Sequence, residues 1–159
     1  MTSGANIAVH SAGRHSSPAR PGTVALLARY LGALALLGVG FDHIHQYSAD
    51  YYSAIPTIGT LFALNFAAAT VVGLGLMAPV GRLAGRWSDA VLTLLAVGGV
   101  AIAAGSIAGV LIAENGGLFG FAEQGYREAI VISIALEAAT VVLLGAFAVL
   151  SATRRPRTG

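Results

Sequence analysis

FDHIHQYSADYYSAIPTIGTLFALN, residues 41–65, joins two long apolar runs, and its reading decides the fold. The residues before it, 23–41, are almost wholly apolar, and so are those from 55 to 78. Between them Asp42, His43, His45 and three tyrosines read as a loop outside the hydrocarbon, covering residues 42–52. Ile55-Pro56-Thr57 then fits a helix start, because proline in a first turn lacks only an N–H that would have no partner there.

Two further apolar runs follow at 90–113 and 129–150. A helix rises about 1.5 Å per residue, so each of the four runs, at about 20 residues, is long enough to cross a hydrocarbon core about 30 Å thick. Strands fail as an alternative, since the runs are too long and lack a period of two. The expectation is an all-α membrane protein with four transmembrane helices. The short connections make consecutive helices antiparallel neighbours in an up-down bundle. Composition agrees: 56% hydrophobic residues and only 10% charged ones are membrane values, against about 25% charged in globular domains.

The flanks are different in kind. Residues 1–22 are rich in Ser, Gly, Ala and Pro without hydrophobic periodicity, and read as a disordered tail. The apolar run begins too late for a secretory signal and reads as a retained first span. Residues 152–159 form a short basic tail. All nine basic residues are arginines, which, with abundant Ala and Gly, suggests a GC-rich bacterial genome. Eight of them (Arg14, Arg20, Arg29, Arg82, Arg86, Arg154, Arg155 and Arg157) fall on one side of the bundle, leaving Arg127 on the other. By the positive-inside rule both termini are expected in the cytoplasm of a bacterial plasma membrane. The opposite face then carries Asp42, Asp50, Glu114, Glu123 and Glu128 with His43 and His45, and Tyr47, Tyr51, Tyr52 and Tyr126 lie at interfacial depth.

Polar residues inside the spans are costly and so are the candidates for chemistry. Glu137 lies about nine residues into the fourth span, about 13 Å deep, with Ser133 and Thr140 extending its face. It reads either as a protonated acid that fixes helix packing or as a proton or ligand site. Asn65 reaches a similar depth in the second span, and a hydrogen bond between the two is expected, worth about 1 kcal/mol in lipid. Ser106 in the third span could join them, or bond back to its own helix as lone serines do. Arg29 is expected to snorkel to the headgroups.

Asp42, His43 and His45 form an Asp-His-x-His cluster open to interfacial, pH-sensitive or metal-binding readings. Residues two apart on a helix point about 200° away from each other, so the histidines could share one divalent ion only if the helix has already ended. No cysteine is present, and no cofactor is expected beyond that metal. Neither a phosphate loop, a nucleophile triad nor a dinucleotide fingerprint occurs, so no enzyme activity is expected. The scattered arginines make no nucleic-acid footprint. Small residues recur every fourth position at Gly59, Ala63, Ala67 and Gly75, and again at Ala101, Gly105 and Gly109. These faces suit close packing within the bundle, or a homodimer or larger membrane complex.

A histidine closing the first span (His43 or His45), a Tyr51-Tyr52 loop and Ile-Pro-Thr-Ile-Gly-x-Leu-Phe-x-Leu-Asn from Ile55 to Asn65 resemble the small, uncharacterised four-span membrane proteins of actinobacteria. The likeness spans the first half of the bundle and implies four helices and an envelope location. Likeness to DoxX-type proteins is one of topology and carries no residue roles. The expected function is a non-catalytic accessory or assembly component of an envelope complex. The alternative is a small transporter or a proton- or metal-responsive protein using Glu137 within and Asp42, His43 and His45 at the mouth.

Overall fold

The computed structural model describes residues 22–122, 125 and 127–153. Both tails, and with them Arg14, Arg20, Arg154, Arg155 and Arg157, lie outside the described residues, as do Glu123 and Tyr126. Among the described residues four helices are long and apolar enough to cross a membrane. They are α1 (Thr23–Ala49), α2 (Pro56–Met77), α4 (Ser88–Asn115) and α5 (Glu128–Ala152), with one short turn, α3 (Val80–Leu83), between the second and third spans. Only an isolated bridge between Leu118 and Phe121 departs from helix and turn among the described residues.

Chain chemistry sets the ends. Pro56 occupies the first turn of α2, as expected, and Ala78-Pro79 stops that helix. Asn115-Gly116-Gly117 ends α4, with Gly117 at φ 80°. The first helix differs from expectation: it runs to Ala49, eight residues beyond the apolar run. Nothing from Asp42 to Ala49 breaks a helix, and Gln46 Nε2 donates to Asp42 Oδ2 at 2.6 Å across one turn, so the polar residues prolong α1 rather than leave it. The chain turns only at Tyr51, which takes a left-handed φ of 62°.

The helices form a ring in which α1 packs against α2 and α5, α4 closes the ring against α5 and α2, and α2 lies diagonally across from α5. The half nearer the chain termini holds the dry core: Ala25, Ala28, Ala33, Leu36, Ala69, Leu76, Ala96, Leu144 and Phe147. Leu144 is its wedge. A Cβ on Gly32 of α1 would meet Leu144 Cδ2 at 2.6 Å, and one on Gly99 of α4 would meet Cδ1 at 2.5 Å, so one leucine of α5 fills the space that two glycines leave. The outward faces carry Phe41, Leu64, Val71, Leu94 and Val142, as lipid contact requires.

Candidate functional site: a polar-floored pocket in the loop-side half

Above the dry core the ring opens. A cavity of about 430 Å³ lies between the loop-side halves of the helices, lined among others by His43, Asn65, Gly105, Ser106 and Ser133. Its position follows from how α2 and α4 meet. They touch where Leu95 fills the space above Gly75 and where Val72 lies 3.7 Å from a Cβ built on Gly99, both in the terminal half. Toward the loops the small residues Ala101, Gly105 and Gly109 line the cavity, and a Cβ on Gly105 would touch nothing within 4 Å. The stripe expected to bring two helices together on α4 instead holds them apart from one another's side chains. Exposed Leu61, Leu64, Ala101 and Gly105 form the rim, so the mouth faces the lipid side of the bundle.

The floor is polar and drawn from three helices. His43 on α1 is buried, and its Nδ1 lies 2.9 Å from the Val39 carbonyl one turn back. A carbonyl only accepts, so Nδ1 carries the hydrogen, and in the neutral ring the Nε2 lone pair is left to accept. Ser106 Oγ on α4 sits 3.1 Å from that Nε2. Glu137 on α5 is fully buried, with Oε1 4.0 Å from His43 Nε2 and 3.4 Å from Ser133 Oγ. The Ser106 hydroxyl and the Glu137 carboxyl therefore both approach His43 Nε2, at 3.1 and 4.0 Å, on the inner side of the bundle. Glu137 Oε2 has no partner.

The expected residues are sorted by this geometry. Glu137, Ser133 and Thr140 all face inward, though the Thr140 hydroxyl bonds back to the Leu136 carbonyl at 2.8 Å. Ser106 reaches across to His43 instead of bonding back to its own helix. Asn65 lines the cavity without bonding Glu137, and its Oδ1 is buried without a partner. The reason is the ring order, which places α2 and α5 on a diagonal with the cavity between their polar residues. Asp42, His43 and His45 do not converge, because α1 is still helical there. His43 points inward, His45 is exposed beside Phe41, and Asp42 is taken by Gln46. Among the described residues no three His, Cys, Asp or Glu side chains are grouped as a metal site.

Four parts of the site were not foreseen from the sequence. Gln46 is buried on the inner face of α1, one turn beyond His43. An aromatic series lines one wall: His43 to Phe62 at 4.9 Å, Phe62 to Tyr52 at 4.6 Å, and Tyr52 to Phe121 at 5.7 Å between centroids. Arg127 ties down the loop side, with Nη2 donating to Tyr52 Oη at 2.6 Å and Nη1 lying 3.7 Å from Asp50 Oδ2. Leu118 and Phe121 face each other across a tight turn, whose central Phe119 and Gly120 have φ of 52° and 80° and which covers that end of the pocket. Recognising that Asp42 to Ala49 continues the helix would have put Gln46 on the buried face. The aromatic wall has no local signature.

Comparisons with protein-family models, with curated proteins and with solved structures give no match for this chain.

Proposed function

We propose that the chain is a non-catalytic accessory protein of a bacterial plasma membrane, with both termini cytoplasmic, and that its task is to hold a small molecule within the loop-side half of its bundle. One observation carries the reading: a cavity of about 430 Å³, of ligand-pocket size, whose floor joins His43, Ser106 and Ser133 in front of a fully buried Glu137. Intramembrane ionisable groups with designated partners mark ligand or ion sites far more often than their rarity in lipid would suggest. Binding is favoured over passage across the membrane, because Leu36, Leu76 and Leu144 fill the bundle beneath the pocket. The likeness to small four-span actinobacterial proteins is part of the same proposal. So is the orientation, which rests on the arginine distribution.

Two experiments test it. Wild-type protein purified from its membranes in mild detergent, then extracted with solvent, is expected to yield a recurrent small molecule by mass spectrometry. Gly105→Phe, which puts a ring into the open space at the rim, is expected to lose it. Identical extracts from the two proteins would remove the support for a binding function. Because the chain has no cysteine, a single one introduced at Ser53 should react with an impermeant maleimide on intact cells, and one at Gly81 should not; the reverse pattern would invert the proposed orientation.

A further inference from the structure

We propose that the occupant of this pocket is an uncharged, largely apolar molecule whose carbonyl-type oxygen accepts a hydrogen bond from Asn65 Nδ2 near the middle of the bilayer. The inference rests on the binding reading above and adds the chemical class. Asn65 borders the cavity, and its amide is held with Oδ1 shut off from any accessible space, so that the atom left open is the donor Nδ2. An amide NH₂ offers hydrogens and accepts none, so the group that answers it is an acceptor. The hydrogens of the polar floor are already spent within the bundle. His43 Nδ1–H goes to the Val39 carbonyl, the Ser106 hydroxyl to His43 Nε2, and the Ser133 hydroxyl to Glu137 Oε1. None of these three competes with Asn65 for an incoming acceptor.

Depth and lining narrow the class. Asn65 stands about 13 Å along the helix from Pro56, where α2 begins, and so near the middle of a hydrocarbon core about 30 Å thick. The ester carbonyls of bilayer lipids lie at the edge of that core, so the oxygen belongs to a molecule dissolved within it. Among the described residues no Arg, Asp or Glu side chain lines the cavity, and neither an anion nor a cation finds a countercharge there. The walls are apolar, supplied by such residues as Leu61, Ile102 and Val110, and the stack of Phe62 on Tyr52 at an interplanar angle of 19° offers a planar body a matching surface. Exposed Leu64 and Gly105 at the rim give a membrane-dissolved molecule a way in from the bilayer.

The test uses the full chain in lipid nanodiscs and four radiolabelled planar probes: fluorenone, which only accepts; carbazole, which only donates; fluorene, which does neither; and fluorenone carboxylate, which adds a charge. Saturable binding is measured against each probe's concentration in the bilayer, with empty nanodiscs giving the partition. Wild type is expected to bind fluorenone at one per chain and about tenfold more tightly than fluorene or carbazole, as one buried hydrogen bond implies, and not to bind the carboxylate. Ether-linked lipids in place of ester lipids should leave that affinity unchanged; a large gain would make the lipids' own carbonyls the occupant and overturn the inference. Asn65→Leu should abolish the preference while still binding fluorene, which also reports that the variant is folded. In wild type alone, the carbonyl stretch of bound fluorenone should fall below its position in hexane, and an unshifted stretch would show that no hydrogen bond is made. Fluorenone no tighter than fluorene, a tighter carbazole or carboxylate, or a preference that survives Asn65→Leu would each overturn the inference. If fluorenone and fluorene bind equally and Gly105→Phe excludes both, the acceptor assignment fails while the binding function stands. If no probe saturates, the binding function itself fails.

Discussion

Arg29 illustrates how a residue's neighbours decide its role. It lies near the start of α1, where snorkelling to headgroups is the simplest expectation, yet it is 7% exposed. Its Nε donates to the Leu76 carbonyl at 2.7 Å and its Nη2 to that of Ala78 at 2.6 Å. These carbonyls end α2, where the helix itself provides no donors, and a cation is favoured by the helix dipole. Arg29 thus closes one helix from another. Arg29→Leu should lower stability by about 1–3 kcal/mol, the cost of leaving buried acceptors unmade. Arg29→Lys, a point donor in place of a fork, should recover only part of it. Thermal unfolding in detergent checks both; an Arg29→Leu variant as stable as wild type would mean that the side chain only reaches for headgroups.

The helices show where pattern suffices and where it does not. The boundaries of α2, α4 and α5 fall within two residues of the apolar runs, because Pro56, Pro79 and the Asn115-Gly116-Gly117 turn mark them locally. The end of α1 was not legible from hydropathy, since a polar helix and a polar loop score alike and only the Gln46 to Asp42 bond distinguishes them. Glycine spacing was a partial guide as well. It could not say that Gly32 and Gly99 embrace Leu144 whereas Gly105 borders a void, because that depends on which side chain stands opposite. Adjacent glycines of α4 test this. Gly99→Ala would press on Leu144 and on Leu36, whose Cδ2 lies 3.0 Å from the new Cβ, and should cost about 1–3 kcal/mol. Gly98→Ala meets nothing within 4 Å and should gain up to about 1 kcal/mol from helix propensity. Unfolding measurements giving the same sign for both would contradict the packing described.

At the scale of the whole molecule, one ring of four helices is dry at the end bearing the termini and hollow at the other. The inward direction of Glu137 was readable from depth and from Ser133 and Thr140 on its face. Its partners were not, because they come from α1 and α4, and pairing across helices depends on ring order, which no single run encodes. Ring order is also why Asn65 and Glu137 do not meet. The central claim, that α1, α4 and α5 bring His43, Ser106 and Glu137 together beneath a pocket, is tested most directly by solid-state NMR. Protein in lipid bilayers would carry ¹⁵N in its histidine rings and ¹³C in its glutamate carboxyls, with His43→Phe and Glu137→Gln controls to assign the pair. Dephasing of the Glu137 carboxyl by His43, consistent with the 4.0 Å approach of Nε2 to Oε1, is the predicted result. A carboxyl that shows no dephasing in wild type would contradict the site.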